Sequence, residues 1–247
     1  MTTASAHVGA IGASTSGEIV GRIIASAMDQ GRMNLLEPEA KQVCLAYGIT
    51  TPRFGVAHNP EEAAELAKSF GPPVVLKIVS PDILHKTEAG GVMVGLETRK
   101  QVEAAYEQIL SNVEKREPKP RVDGILVQSM LPAGVEVIVG GLRDSQFGPT
   151  VLFGLGGVFV ELLKDASFRV APMTHGDSRQ MTEEIRGYPM LKGIRGKPAS
   201  DGEAIIQIIQ AVSKIMLENG QIQQLDLNPV IVHVKGAAVA DARILLG

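Results

Sequence analysis

The 247-residue chain has no tryptophan and one cysteine, and aromatic residues make up only 4% of it. So few flat side chains exclude a base-stacking platform for single-stranded nucleic acid. A lone cysteine forms no internal disulfide; Cys44 lies on an apolar helix face and reads as a small buried hydrophobe. The formal charge of −3 offers no basic field for nucleic acid or an anionic membrane surface. No segment reaches the ~18 apolar residues that a membrane helix needs. The first residues also lack the basic stretch and apolar block of a secretory signal, so a cytoplasmic location is expected. What is present is ordinary for a globular chain with its own core: 45% hydrophobic and 21% charged residues.

Residues 1–17 are small and polar. Their "GAIGAS" looks like a nucleotide-binding glycine turn, but no strand–helix–strand unit with a following acidic residue supports it. Residues 1–34 are therefore expected to form an N-terminal arm. A helix is predicted over 37–47, with Pro38 opening it, Gly48 closing it, and Leu36, Ala40, Val43, Cys44 and Tyr47 as its stripe. After a strand at 50–57, "NPEEAAELAKSFG" reads as a helix from the Asn59 cap to Gly71. Strands at 74–79 and 92–96 precede a helix capped by Thr98. Beyond the polar connector "REPKPRVDG" the chain turns strand-rich, at 124–130, 135–141, 150–155 and 158–163. Residues 173–198 read as irregular or weakly helical, with a turn at 178–186. "SDGE" then caps a long helix to Asn219, and strands at 222–234 and 237–246 end the chain. Helix–strand alternation over 35–127 followed by strands and one long helix over 128–247 predicts an α+β fold of two lobes with a cleft between them.

The final hairpin gathers polar groups. With Lys235–Gly236 as a two-residue turn, Val230 pairs with Asp241 and Asn228 with Arg243. Alternation then puts Asp226, Asn228, Asp241 and Arg243 on one face and Leu225, Leu227 and Ile231 on the other. Carboxylate and amide oxygens suit Mg²⁺; a solvated hairpin face is the alternative. In "GLGGVFVELLKD", Gly154, Gly156 and Gly157 either let backbone N–H groups approach a phosphate or simply make a bend. Glu136 and Lys77 are charges set inside apolar strands, which is costly without a partner. In "LKIVSPDILHKTEAGGV", Lys77, His85 and Lys86 precede the glycine pair Gly90–Gly91, a grouping suited to a phosphate. An edge-strand lysine and an ordinary histidine are the plainer readings.

Together these blocks resemble an ATP-grasp nucleotide-binding module. More closely, they are similar to the β subunit of ADP-forming acyl-CoA synthetases (acetate–CoA ligase, ADP-forming), relatives of succinyl-CoA synthetase. The resemblance rests on "LLEPEAKQVCLAYGITTP", "VVLKIVSPDILHKTEAGGV", "GVEVIVGGLRDSQFGP", "VLFGLGGVFVELLKDASFRVAP" and "LDLNPVIV", in the family's order over residues 35–247. It implies an ATP-grasp fold with the nucleotide in the cleft, and ATP/ADP and Mg²⁺ as cofactors. Lys77 would contact phosphates, Gln128, Ser129, Met130 and Leu131 would form the adenine-binding hinge, and Gly156 and Gly157 would lie along the nucleotide. Glu136 would hold the ribose or the site's lysines, and Asn228 and Asp241 would bind Mg²⁺. His85 would carry a phosphoryl group, oriented by Asp226, on a loop hinged at Gly90 and Gly91.

The reaction so implied is acyl-CoA + ADP + phosphate ⇌ carboxylate + CoA + ATP. No module for CoA binding is legible in this chain, so an α subunit carrying the CoA-binding and ligase domains, in an α2β2 assembly, is expected. No nucleic-acid or membrane partner is implied. An ATP-grasp carboxylate–amine ligase and a non-catalytic nucleotide-binding module are the alternatives. The block "DILHKTEAGG" argues against the first, and the presence of His85, Asp226 and Asn228 against the second.

Overall fold

Two antiparallel sheets carry the architecture. The computed structural model describes residues 15–83, 85–157, 165–194, 196 and 198–247. The small sheet has four strands in the order β2 (Phe54–Ala57), β5 (Gly124–Ser129), β3 (Val74–Val79), β4 (Val92–Leu96). The large sheet runs β1 (Asn34–Leu35), β11 (Ala242–Leu246), β9 (Ile222–Val232), β6 (Val135–Asp144), β7 (Gly148–Leu155), β8 (Ala166–Val170), with β10 (Ala237–Val239) also paired to β9. The strand expected at 158–163 lies outside the described residues.

Helices cover one face of each sheet. On the small sheet, α3 (Pro60–Phe70) and α4 (Arg99–Glu114) bury Ala63, Ala67, Tyr106 and Ile109 against Leu76, Ile78 and Val127. Their start signals are the expected ones: Asn59 accepts from the Glu62 N–H at 2.8 Å and Thr98 from the Gln101 N–H at 3.3 Å. On the large sheet, α7 (Gly202–Glu218) packs Ile205, Ile209, Val212 and Met216 against Val139, Phe153 and Leu227. Asp201 rather than Ser200 caps it, accepting from Ala204 N at 3.0 Å and also from Gly236 N at 2.7 Å.

Residues 16–29, expected to belong to an arm, instead form α1 (Ser16–Asp29). Thr15 and Glu18 make a reciprocal capping box, and Val20, Ile24 and Ala27 join the large-lobe core. The helix α2 (Glu37–Ala46) joins the same core through Ala40, Val43 and Cys44. The lobes are therefore not simple halves. From residue 16 the chain runs in the large lobe, crosses to the small lobe for residues 54–129, and returns. The stretch 173–198, expected to be irregular or weakly helical, takes the second form: it holds α5 (His175–Glu183) and α6 (Tyr188–Leu191). The signal for α5 is Thr174 capping Asp177 N at 3.1 Å.

The final hairpin closes differently from expectation. Val232 pairs with Ala237, Val239 with Val230, and Arg243 with Asp226, two residues out of the predicted register. His233 N–H donates to Gly236 O at 3.0 Å, closing a longer turn. A slip of two preserves faces, so Asp226 and Arg243 still share a side. A second difference does change faces: the β6–β9 register shifts between the Val137–Val230 and Val139–Leu227 pairs. Core residues on β9 accordingly switch from Leu225 and Leu227 to Val230 and Val232. Val230 thus packs in the core, and Ile231, expected beside Leu225 and Leu227, lies outside that core cluster.

Candidate active site between the lobes

The junction of the lobes is held by buried charge. Glu37, at the first turn of α2, ion-pairs through its carboxylate with Lys77 at 2.7 Å, Lys86 at 2.6 Å and Lys41 at 3.2 Å. Asp241 lies at 3.2 Å from Lys86 and 3.5 Å from Lys77. Lys41 and Lys77 also donate to the Ala240 carbonyl at 3.1 and 2.9 Å, and Lys41 hydrogen-bonds the side chain of Gln128. The cluster thus ties α2 and the β10–β11 turn of the large lobe to β3 and β5 of the small one. Three lysines against two carboxylates leave an excess of positive charge, which favours a polyanion nearby.

Burial and charge act in opposite directions here. Burial alone would raise the Glu37 carboxyl, but Lys77, Lys86 and Lys41 outweigh it and hold Glu37 well below the usual carboxylate range. Burial pushes Lys41 down to about 8, with Glu37 opposing. Lys86, although buried, is held above the ordinary lysine value by Glu37 and Asp241. Asp241 is raised, by burial and then by Glu37, against the pull of Lys77 and Lys86. Glu37 is therefore the anchored anion, with the shorter contacts, and Asp241 the looser one.

A cavity of about 450 Å³ opens beside this cluster, lined by His85, Lys86, Asp226, Asn228, Asp241 and Arg243 among others. His85 is exposed in the loop after β3 and shares its cavity with residues of β9 and β11 of the large sheet. It also lines a second cavity, of about 380 Å³, with Arg116 and Lys119. Asp226 is raised, first by burial and then by Asp241, with Arg243 opposing. On the other side of Asp226 and Asn228 a cavity of about 510 Å³ extends over the apolar open face of the large sheet, along Ile138, Leu152 and Phe168.

Four of the expected residues, His85, Asp226, Asn228 and Asp241, thus share one cavity. Lys77 is buried behind it in the ionic cluster and does not line it; β3 is an inner strand, so the edge-strand reading fails. The hinge residues sit at the crossing between lobes. Gln128 is buried and bonded to Lys41, while Ser129 and Met130 already donate their N–H groups to Arg53 O and Pro73 O at 2.9 and 3.0 Å. Leu131 follows, half-buried, where the chain leaves the small sheet.

Glu136 corrects an expectation. It is exposed near the start of β6, ahead of the buried run 137–141, so no buried charge needs a partner there. The site's lysines are held by Glu37 and Asp241. Gly156 packs against Glu136 and donates its N–H to Glu136 O at 2.7 Å, so that N–H is already engaged; a Cβ there would lie 2.9 Å from Glu136 Cβ. Gly157 lies within reach of the Glu136 carboxylate and immediately precedes residues outside the described set. Gly91 is likewise tightly packed. A Cβ on it would lie 2.5 Å from Ile78 Cγ2 and 3.1 Å from Lys86 O, so its smallness pins the loop to β3.

Glu37 and Lys41 are the residues that sequence reasoning missed. Their signal was an i,i+4 charge pair with Lys41 next to the apolar stripe of its helix, where a solvated lysine would be out of place. For a metal, Asn228 and Asp241 offer one amide and one carboxylate oxygen at the cavity rim. That suits Mg²⁺, which keeps waters and takes phosphate oxygens. Among the described residues no three His, Cys, Asp or Glu converge into a closed metal cage, and no helix is long and apolar enough to cross a membrane.

Comparison with known proteins fits this geometry. A family model described as an ATP-grasp domain matches residues 26–246. The β subunit of acetate–CoA ligase [ADP-forming] I from Pyrococcus furiosus is 46% identical over 212 residues, covering 86% of this chain and 91% of that protein. Acetate–CoA ligase [ADP-forming] I from Archaeoglobus fulgidus is 47% identical over 209 residues, covering 85% of this chain, but the match spans only 30% of that protein's length. Among solved structures, the dinucleotide forming acetyl-coenzyme A synthetase 1 of Ca. Korarchaeum cryptofilum superposes with a TM-score of 0.82 at 45% identity, covering 92% of this chain and 100% of that one. That structure is a complex with coenzyme A and Mg-AMPPCP, its phosphohistidine segment pointing towards the nucleotide binding site. The chain belongs to the ATP-grasp family, in the group formed by the β subunits of ADP-forming acetate–CoA ligases.

Proposed function

We propose that this chain is the nucleotide-handling subunit of an ADP-forming acyl-CoA ligase, moving phosphate between ADP and His85. One observation carries the reading: His85, on a loop of the small lobe, lines the same cavity as Asp226, Asn228 and Asp241 of the large lobe. In the ATP-consuming direction, the lone pair of a neutral ring nitrogen of His85 forms an N–P bond to the γ-phosphorus. The bond from that phosphorus to the β,γ-bridging oxygen breaks, and its electrons leave with ADP. The proton on the other ring nitrogen stays in place, and Asp226 balances the imidazolium charge. The reverse step makes ATP.

Lys77 and Lys86 supply positive charge towards the phosphates from a cluster that is already organised, so little reorganisation accompanies the transfer. Asn228 and Asp241 would hold Mg²⁺, which neutralises phosphate-oxygen charge when bound. The adenine is assigned to the hinge, Gln128–Leu131, and the ribose to Glu136, with Gly156 and Gly157 alongside. An α subunit carrying the CoA-binding and ligase domains would complete acyl-CoA + ADP + phosphate ⇌ carboxylate + CoA + ATP, in an α2β2 assembly in the cytoplasm. The relatives' names, the phosphohistidine segment in the Korarchaeum complex and its Mg-AMPPCP support this reading.

The test is phosphoenzyme formation from γ-labelled ATP and Mg²⁺, with the partner subunit present. The native chain should take up acid-labile, alkali-stable label, and His85→Ala should take up none. Equal labelling of the two chains, or none of either, sinks the reading.

A further inference from the structure

Arg243 has no place in the mechanism so far. It stands on β11 directly opposite Asp226 of β9 and lines the cavity that His85 enters. Its Nε is the one buried side-chain polar atom without a hydrogen-bond partner among the described residues. Other cations contrast with it. Lys77 and Lys86 are committed to Glu37 and Asp241. Arg143, on the same large sheet, donates to Met216 O, Asn219 O and Ile222 O at 2.6, 3.2 and 3.2 Å, as a structural arginine does.

A buried donor left unpaired gives up its hydration for nothing, so native structures rarely keep one without a use. A planar guanidinium presents several donors in a fixed fork that matches phosphoryl oxygens. Asp226 stands opposite it across the strands, yet the two form no ion pair within 4 Å among the described residues. The fork therefore remains available to an anion in the cavity.

We propose that Arg243 is a catalytic residue that binds a non-bridging oxygen of the phosphoryl group in transit through the Nη end of its guanidinium, the part that reaches the cavity. The proposal rests on the His85 reading above. Arg243 neither gives nor takes a proton. It stabilises charge on the three equatorial oxygens while the P–O bond to ADP breaks and the N–P bond to His85 forms.

The test compares the native chain, Arg243→Gln and Arg243→Lys, with the partner subunit present. Three quantities are measured: thermal unfolding without nucleotide, calorimetric binding of orthovanadate with MgADP, and the single-turnover rate of labelling from ATP. Arg243→Gln should keep the native unfolding temperature, bind vanadate at least tenfold more weakly, and label about 10²–10³-fold more slowly. Arg243→Lys should recover part of both losses. The vanadate loss should persist in an Asp226→Asn background.

Vanadate binding and labelling within threefold of native overturn the proposal. So does a loss that disappears in Asp226→Asn, which would make Arg243 a positioning residue for Asp226. A lower unfolding temperature in Arg243→Gln, restored by lysine without recovery of vanadate binding, also overturns it and assigns a structural role. If the native chain binds vanadate through Arg243 but never labels at His85, the phosphohistidine reading fails and the phosphoryl site stands.

Discussion

Two sets of ion pairs in this protein have the same lengths and opposite meanings. At the lobe junction Glu37 meets Lys77 and Lys86 at 2.7 and 2.6 Å; on the small-lobe surface Arg99 meets Glu65 and Glu103 at 2.7 Å each. The difference is solvent. The Glu37 and Lys41 side chains are 1% and 0% exposed, whereas Arg99 and Glu65 are 55% and 59% exposed. Buried charges have lost their hydration and depend on one another, so removing one strands the rest. Exposed charges are already satisfied by water and screened by salt. The junction cluster therefore holds two lobes in register and keeps lysines poised for an anion, while the surface pairs leave both lobes indifferent.

Removing the central anion breaks this contrast most sharply. Glu37→Gln should cost ~3–5 kcal/mol in unfolding free energy, read by urea denaturation, because three lysines would be left with Asp241 alone. A loss no larger than that of a surface variant would mean the cluster is wet and only loosely coupled.

A smaller effect should appear as a pH slope. Lys41 is held down to about 8 against 10.5 for the free side chain. Between those values the unfolded chain binds the proton that the folded chain has lost. Unfolding free energy from this group therefore rises with pH across that window, by at most ~1.4 kcal/mol per unit. Below about 8 both states hold the proton and the slope vanishes. Lys86, held above 10.5, contributes stability that is lost only at still higher pH. Denaturation curves from pH 7.5 to 10 should thus be flatter for Lys41→Met than for the native chain; identical slopes would place Lys41 in contact with water.

The smallest effect belongs to the surface. Arg99→Ala should leave the unfolding temperature unchanged within error, and 1 M salt should erase any residual shift. A clear loss at high salt would show packing by the arginine stem rather than its charge.

Most of what was legible before the structure was local. The caps at Asn59 and Thr98 were readable because a capping side chain and its target lie three residues apart. The polar face of the last hairpin was readable although its turn was misjudged, since a two-residue slip returns each side chain to the same side. The α1 helix carried an equally local signal in Thr15 and Glu18, and the small polar residues before it concealed it. Glu136 and Ile231 were misplaced for a different reason: where along β6 burial begins, and where β9 shifts register, depend on the helices and strands around them.

By itself the sequence determined the period of each element, its caps and the set of chemical groups available: a histidine loop, an acidic hairpin, and lysines beside apolar residues. Alternation and helical spacing are properties of the backbone, and they act over a few residues. Only the tertiary structure decided that Glu37, Lys77, Lys86 and Asp241 meet, and that Arg243 does not share in their pairing. Those residues are far apart along the chain. Their charges interact strongly only because closing two sheets around them removes the water that would otherwise screen them.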